Sequence, residues 1–278
     1  MPVRPAVAAI AGLTISMAFP LSFAEGQTTP PVKMVEIPVS PLPFVLQGFL
    51  RRPESAGRSP AVVLLPACAK GIMQLEAGWG ARISSWGYTT LTIDGLNTRG
   101  IKKCGTIANT DPSDLAADAY RALDFLVQQP FVDPKRIAVV GFALGAWQTL
   151  SAVERGAVET ASKHKFRAVA AFYPSCAHFK GIMTVPTLIL IGERDDWGTA
   201  NACRKMVAGE DDLGMSRQKG EGATVRLIVY PDAYSGFDNP ALETPLEFLG
   251  HHLEYNEQAA HQSAQALREF LNSAVNNQ

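Results

Sequence analysis

The sequence lacks features that would assign it at once to some common protein classes. No block of like charges occurs in its 278 residues, and 25 basic residues stand against 26 acidic ones. A nearly neutral chain without a basic stripe is not typical of a nucleic-acid-binding protein. After the N-terminal segment, no apolar run is long enough to span a bilayer. We therefore predict neither a nucleic-acid partner nor a membrane span in the mature chain.

Cysteine and histidine are scarce. The chain has four cysteines, Cys68, Cys104, Cys176 and Cys203, and five histidines. No two cysteines lie two to four residues apart, and no histidine pair near them has ligand spacing, so no metal site is predicted. We find no cofactor motif either. In an oxidising compartment the even number of cysteines favours disulfides, and the sequence alone permits three pairings.

The first residues are typical of a secretory signal peptide. Arg4 gives a basic start, residues 6–23 are largely apolar, and small residues flank Phe23 as at a cleavage site. The alternative is a retained membrane anchor, but a proline interrupts the apolar run. We therefore expect residues 1–24 to be removed, the mature chain to begin at Glu25, and the protein to be periplasmic or secreted.

The rest of the chain predicts one α/β domain, because its 47% hydrophobic content and its length suit a single large core. Residues 25–43 are interpreted as a connector with the first strand, and residues 44–278 as the domain. Segments 32–39 and 44–51 alternate like a hairpin. Short apolar runs then predict strands buried on both faces, at residues 61–65, 88–93, 137–140, 168–172, 187–191 and 225–230.

Helical patterns separate these runs. Asp111 and Pro112 suit the start of one helix, which Pro130 ends, and residues 256–271 form the last helix. Alternating strands and helices predict a mostly parallel central sheet with helices on both faces.

One strand leads into a motif with chemical meaning. Residues 137–140 are followed by Gly141, Phe142, Ala143, Leu144 and Gly145 and then by a helix. This strand, turn and helix context is that of a nucleophile elbow, in which the glycines permit a strained turn and close helix packing. A glycine pair at this spacing is weak evidence alone and moderate evidence after a buried strand.

Three segments in order resemble the dienelactone hydrolase family of the α/β-hydrolase superfamily, and the resemblance extends from about residue 44 to residue 271. Residues 134–142 (PKRIAVVGF) resemble the approach to the elbow. Residues 190–197 (LIGERDDW), here called the acid loop, resemble the segment with the catalytic acid. Residues 230–238 (YPDAYSGFD), here called the histidine segment, resemble the one with the catalytic histidine. The resemblance implies an α/β-hydrolase fold with the order nucleophile, acid, histidine.

Two of the three catalytic positions are substituted. Ala143 occupies the nucleophile position, and a methyl group cannot attack a carbonyl. Ser235 occupies the histidine position, and a hydroxyl cannot act as a base near neutral pH. Asp195 best matches the acid, with Asp196 as the alternative. The competing interpretation is that both are solvated loop carboxylates that cap the helix containing Cys203.

The resemblance also implies an oxyanion hole and a disulfide pairing. The backbone N–H of Leu144 and one from the loop at residues 66–68, the oxyanion loop, would bind the oxyanion, with Ala67 or Cys68 as the second donor. That loop begins Pro-Ala where many relatives have His-Gly. The implied disulfides are Cys68 with Cys104 and Cys176 with Cys203.

Other residues offer alternatives for the missing groups. His251 or His252 could act as a relocated base, although surface histidines are the simpler interpretation. Cys68 could act as a nucleophile if it were a free thiol. A pocket for an aromatic or carboxylated ligand could be lined by four residues, for which ordinary packing is the simpler interpretation: Arg99, Trp147, Trp197 and Tyr234.

Three functions are consistent with these residues. The first is an exported, catalytically impaired relative that binds a small ester or lactone, or a protein partner. The second is an active ester or lactone hydrolase with a relocated base or nucleophile. The third is an engineered inactive mutant, which Ser235 disfavours because histidine is usually replaced by alanine, asparagine or glutamine. The sequence assigns no oligomeric state.

Overall fold

A computed structural model describes residue 1 and residues 30–39, 44–54, 57–101, 112–177, 179–210 and 221–276. The signal segment, Cys104 and Asp111 therefore lie outside the described residues. Within these ranges the strands are β1 (Val32–Pro38), β2 (Val45–Arg51), β3 (Ser59–Leu65), β4 (Thr89–Asp94), β5 (Val132–Phe142), β6 (Ala168–Phe172), β7 (Thr187–Gly192), β8 (Val225–Tyr230), β9 (Leu246–Phe248) and β10 (His251–Leu253). The α-helices there are α1 (Ile72–Leu75), α2 (Ala81–Ser85), α3 (Pro112–Val127), α4 (Leu144–Val153), α5 (Ala157–Ala161), α6 (Ala200–Ala208) and α7 (Glu257–Leu271).

Eight strands form one sheet in the order β1-β2-β4-β3-β5-β6-β7-β8. The pairs β1 with β2 and β2 with β4 are antiparallel, and all pairs from β4 to β8 are parallel. Helices cover this sheet, so the predicted α/β-hydrolase fold with a mostly parallel sheet is confirmed. The carboxyl ends of the parallel strands meet at one edge, where ligands bind in open α/β sheets.

The central strands are apolar along their whole length because both of their faces are covered. In β6 and β7 every residue is buried, which is why these segments have no polar alternation. The amphipathic helices also follow their sequence patterns. The α3 stripe is buried at Leu115, Ala119, Leu123 and Leu126, and the Asn256 side chain caps α7 by accepting from the N–H of Ala259 at 2.9 Å.

The helical segment at residues 72–85 has no counterpart among the sequence predictions. It consists of α1, a π-helical turn (Glu76–Gly80) and α2. The turn buries Glu76, whose carboxylate accepts from Arg51 at 2.9 Å and from Thr92 at 2.5 Å. A buried glutamate and two glycines interrupt the apolar periodicity of this segment, so its sequence pattern does not predict a helix.

Two further differences concern strand length and a disulfide. Strand β5 begins at Val132, five residues before the predicted start, because Val132 pairs with Ser59 of β3. The implied disulfide between Cys176 and Cys203 is present and joins the loop after β6 to α6. Cys68 is also disulfide-bonded, and its predicted partner, Cys104, lies outside the described residues.

Helix α4 packs closely on the end of β3. A Cβ at Gly145 would overlap the carbonyl group of Leu65 and would lie 2.8 Å from the carbonyl oxygen of Pro66. Both obstacles are backbone atoms, which cannot rotate away. In contrast, a Cβ at Gly78 in the π-helical turn would meet no heavy atom within 4 Å.

We predict that Gly145→Ala lowers the free energy of unfolding by about 2 to 3 kcal/mol, because the added methyl group forces α4 away from β3. Gly78→Ala is the matched control. It should raise the free energy of unfolding by about 0.5 to 1 kcal/mol, since alanine restricts the unfolded chain. Urea denaturation measures both values, and equal effects of the two substitutions would contradict the close packing.

Candidate functional site

The elbow is a strained turn between β5 and α4. Ala143 has φ 48° and ψ −109°, a conformation that an L-residue rarely adopts without compensation. Its N–H donates to the Phe172 carbonyl at 3.0 Å, and its carbonyl accepts from the N–H of Trp147 at 3.0 Å. The turn therefore has the geometry that presents a nucleophile, although the side chain that it presents is a methyl group.

Glycines bring the oxyanion loop against this turn. A Cβ at Gly141 would overlap the carbonyl group of Gly145, and Gly145 in turn lies against Leu65 and Pro66. Leu144 is the first residue of α4, and a first-turn N–H has no acceptor within its own helix. Gly145, the residue after Leu144, is thus packed against the backbone at which the oxyanion loop begins.

Cys68 precedes a short 3-10 turn, and its carbonyl accepts from the N–H of Gly71 at 3.0 Å. Because its sulfur is in a disulfide, it has no thiolate to attack an ester. The hypothesis that Cys68 replaces the missing nucleophile is therefore wrong.

Asp195 lies at the carboxyl end of β7, in the acid loop, and is 4% exposed. Its Oδ1 accepts from the N–H groups of Trp197 at 3.0 Å and Gly198 at 2.8 Å. It does not cap α6, because the Thr199 side chain does so. The interpretation of Asp195 as a solvated capping residue is wrong, since the carboxylate is buried and held by its own loop.

The acid loop packs directly on the histidine segment. The Arg194 N–H donates to the Ala233 carbonyl at 3.0 Å, and a Cβ at Gly192 would overlap that same carbonyl. This contact brings Ser235, which is 5% exposed, next to Asp195. The residues at the predicted acid and histidine positions are thus neighbours in space.

The two carboxylate oxygens of Asp195 have different surroundings. Burial raises the pKa of Asp195, whereas the N–H groups of Gly198 and Trp197 and the nearby Ser235 hydroxyl lower it. The Ser235 hydroxyl makes no hydrogen bond of ordinary geometry to it, however. Among the described residues, Oδ2 of Asp195 is buried without a hydrogen-bond partner. In a complete triad this oxygen would orient an imidazole at position 235.

His251 and His252 are occupied elsewhere. His251 Nδ1 lies 3.5 Å from Asp196 Oδ1, and its ring stacks on Trp197 with centroids 4.5 Å apart. His252 contacts Glu247 at 2.7 Å and Glu254 at 2.9 Å. Neither ring reaches Oδ2 of Asp195, because that atom has no hydrogen-bond partner in the described chain. These contacts do not favour a relocated base.

A cluster of aromatic rings lies beneath the site and joins its segments. Phe142 of the elbow stacks on Phe172 with ring centroids 4.7 Å apart. Phe237 of the histidine segment packs on Phe172 at 6.2 Å and on Tyr173 at 5.5 Å. Trp79, from the helical turn after the oxyanion loop, packs on Phe172 at 5.0 Å. The elbow, the histidine segment and the oxyanion side therefore share one apolar support.

Asp238 connects the same segments through polar contacts, which the sequence interpretation missed. Its Oδ2 accepts from Nε1 of Trp79 at 2.6 Å, and Tyr173 lies beside its carboxyl group. Burial raises the pKa of Asp238, and burial followed by the charge of Asp238 raises the pKa of Tyr173 well above its usual value. The only sequence signal was the position of Asp238, three residues after Ser235.

The four proposed pocket residues each have contacts of their own within the fold. Arg99 forms a bidentate pair with Asp118 and donates to the Gly95 carbonyl at 2.7 Å, so its charge is used within the fold. Trp147 packs on Phe179 with centroids 6.2 Å apart. Trp197 and Tyr234 lie on the acid loop and the histidine segment.

In the described ranges, no group of three or more His, Cys, Asp or Glu side chains is placed to hold a metal ion. No helix in the same ranges is both long and apolar enough to cross a membrane.

Comparison with known proteins agrees with the geometry. Residues 46–275 match the model of the dienelactone hydrolase family. Over 122 residues the chain is 31% identical to Lipase 1 of Moraxella sp. (strain TA144). The aligned region covers 42% of this chain and 33% of the lipase. Over 111 residues the chain is 32% identical to Thiohydrolase apmlB of Arthrinium phaeospermum. This aligned region covers 39% of this chain and 34% of the thiohydrolase. The matches thus span about a third of each curated relative.

Solved structures share the fold. The dienelactone hydrolase-like promiscuous phosphotriesterase P91 from metagenomic libraries superposes with a TM-score of 0.69 at 19% identity, covering 89% of this chain and 99% of its own. Thermogutta terrifontis esterase 2 phosphorylated by paraoxon superposes with a TM-score of 0.62 at 18% identity, covering 88% and 95%. At these identities the likeness concerns the fold alone.

The buried Asp195 carboxylate predicts a pH-dependent cost to stability. Because its folded pKa is raised, the native state binds the proton more tightly than the unfolded state does. Stability is then lost as pH rises from the unfolded pKa of about 3.9 through the folded value, by about 1.4 kcal/mol for each unit of difference. Asp195→Asn removes this titration and should gain stability over the wild type between pH 3.5 and pH 7.

Urea denaturation at several pH values measures this difference. Asp232→Asn is the control, because the Asp232 side chain is 70% exposed, its ion pair with Arg194 lies at the surface and contributes little, and asparagine tolerates its φ of 56°. A difference between wild type and Asp195→Asn that does not grow with pH would contradict the buried, ionised carboxylate.

Proposed function

Because the chain belongs to the dienelactone hydrolase family, we propose that it is an exported protein that binds a small ester or lactone on a hydrolase scaffold and hydrolyses it poorly. The observation that carries this proposal is the pair of substitutions in an otherwise maintained site. Ala143 occupies a strained elbow, and Asp195 is buried beside Ser235 with one oxygen unpartnered.

The chemistry explains the impairment. Ester hydrolysis on this scaffold needs a nucleophile, a base to accept its proton and an acid to orient the base. Only the acid remains. Backbone donors do not depend on side chains, so the N–H of Leu144 and a donor from the oxyanion loop, Cys68 or Ala67, can still bind a carbonyl oxygen.

Strain at the elbow supports a retained role for the site. An alanine with positive φ costs about 1 to 2 kcal/mol, and no nucleophile now benefits from the turn. Binding of a carbonyl by the adjacent N–H of Leu144 would still need this geometry. The names of the relatives, a lipase, a thiohydrolase and an esterase, support an ester or related acyl compound as the ligand.

Export is the second part of the proposal. The N-terminal segment has the pattern of a signal peptide. The disulfide between Cys176 and Cys203 is typical of proteins that fold in an oxidising compartment.

Restoring the missing groups tests the impairment. We expect Ala143→Ser with Ser235→His, or Ala143→Cys with Ser235→His, to increase kcat/KM for short acyl esters and lactones at least about 100-fold, because a positioned base alone contributes about 10²- to 10⁴-fold. Addition of Asp195→Asn to the restored protein should remove most of this gain, since the imidazole loses the group that orients it.

The single substitutions Ala143→Ser and Ser235→His are the controls and should gain little, because nucleophile and base act as a unit. If the parent protein is already fast and the restored proteins are no faster, the catalytic impairment is refuted and a relocated base or nucleophile becomes the better explanation.

Processing in a Gram-negative host tests export. We expect the full chain to appear in the periplasmic fraction with Glu25 as its N-terminus, as measured by intact mass and N-terminal sequencing. Ala24→Tyr is the control, since a large residue blocks peptidase recognition and should leave an unprocessed, membrane-associated precursor. A cytoplasmic product that retains Met1 would refute export.

A further inference from the structure

Exposed apolar side chains are concentrated around the candidate site. In the described part of the chain beyond Met1, six large hydrophobic side chains are exposed. Val32 and Met34 lie on the edge strand β1. The other four, here called the apolar rim, are Met73 (55% exposed), Trp197 (42%), Leu246 (47%) and Leu249 (61%). Single exposed apolar residues need no explanation, but a group on neighbouring segments does.

Each rim residue lies on a segment that borders the site. Met73 is in α1, which follows the oxyanion loop, and its neighbour Gln74 donates to the side chain of Asn239 just beyond the histidine segment. Trp197 belongs to the acid loop, and its N–H donates to Asp195. Leu246 and Leu249 belong to the β9-β10 hairpin.

The β9-β10 hairpin is anchored directly beside the histidine position. Ser235 forms a β-bridge with Leu253 of β10, and the N–H of His252 donates to Asp196 Oδ2 at 3.2 Å. Trp197 stacks on the hairpin residues His251, with centroids 4.5 Å apart, and Phe248, at 6.0 Å. The hairpin is therefore held against the acid loop, next to Ser235.

Leu249 has an unfavourable backbone conformation. It forms the two-residue hairpin turn with Gly250, and their φ values are 54° and 84°. Such a turn favours Asn-Gly or Asp-Gly, because asparagine and aspartate tolerate positive φ better than leucine does. A residue that is both strained and 61% exposed contributes little to folding, and an outlier of this kind indicates a functional side chain.

The charged groups of the hairpin are in contact with one another. Glu247 and Glu254 both contact His252, at 2.7 Å and 2.9 Å, and Asp196 contacts His251. Three carboxylates stand against two imidazoles, so this side of the rim carries no excess of positive charge that would bind an anionic ligand. The chemistry of the rim therefore suits an uncharged, apolar group.

We propose that the apolar rim binds the alkyl chain of the ligand whose carbonyl group lies at the elbow, so that the protein prefers medium-chain acyl compounds to short or charged ones. This inference rests on the proposed function and adds the substrate class. The carbonyl is bound at the N–H of Leu144, and the chain lies over Trp197, Leu246 and Leu249.

Calorimetric titration with methyl acetate, methyl butanoate, methyl hexanoate and methyl octanoate tests this inference on the full chain. Affinity should rise up to about fourfold for each methylene that contacts the rim, as burial of about 0.8 kcal/mol per CH₂ requires. Leu249→Asn and Leu246→Thr should each lower the affinity for methyl octanoate at least threefold and leave that for methyl acetate unchanged.

The variants are chosen so that loss of folding cannot explain the result. Leu249→Asn suits the turn, so its melting temperature should equal or exceed that of the wild type even as long-chain affinity falls. Leu246→Thr keeps a strand-forming residue in β9. Met34→Thr is the matched control, because Met34 is 60% exposed on β1, which is not among the segments that border the site, and this variant should bind the whole series normally.

The outcomes separate this inference from the proposed function. If no ester of the series binds, both fail. If methyl acetate binds but affinity does not rise with chain length, or Leu249→Asn binds methyl octanoate normally, only the inference about the rim fails. If Leu249→Asn instead abolishes binding to phosphatidylcholine vesicles and leaves binding of the free esters unchanged, the rim is a membrane-contact surface and the inference is also overturned.

Discussion

At several points along the carboxyl edge of the sheet, backbone lies against backbone with no room for a side chain between. Gly145 lies against Leu65 and Pro66, Gly141 against the backbone of Gly145, and Gly192 against Ala233. These contacts bring the oxyanion loop to the elbow and the acid loop to the histidine segment. Because backbone atoms cannot rotate away, each contact admits only glycine, and the arrangement of the site depends on them.

A site built on backbone contacts can keep its shape whatever side chains it presents. Ala143 has the strained turn, and Asp195 is buried and held by two N–H groups of its own loop. The backbone hydrogen bonds that hold Asp195 use Oδ1. Oδ2 has no hydrogen-bond partner among the described residues, so the order of the acid loop does not depend on the residue at position 235.

The cluster of aromatic rings beneath the candidate site joins several segments of the chain. Phe142, Phe172 and Phe237 come from three parts of the chain and pack together, while Asp238 accepts from Trp79 and lies beside Tyr173. The carboxyl groups of Asp195 and Asp238 both have raised pKa values because burial disfavours their charge. Burial of two acids is costly, so the contacts that hold their carboxyl groups matter for the frame of the candidate site.

The sequence by itself determined the sheet, the order of its site segments and the two substituted positions. A strand that is buried on both faces is a continuous apolar run, which can be recognised in the sequence without knowing its neighbours. The glycines of an elbow are required by the local backbone geometry of the turn. The segment at residues 72–85 escaped prediction because the partners of Glu76, Arg51 and Thr92, are distant in sequence.

Only the tertiary structure decided which side chains meet. In the folded protein His251 contacts Asp196 rather than Asp195. Arg99 pairs with Asp118. Met73 and the β9-β10 hairpin lie at the border of one site. The hydrophobic periodicity of a helix or strand indicates which of its faces is buried. Contacts between loops depend instead on where each strand ends within the sheet. The physical reason is that such contacts are set by the packing of the whole domain, which no local pattern encodes.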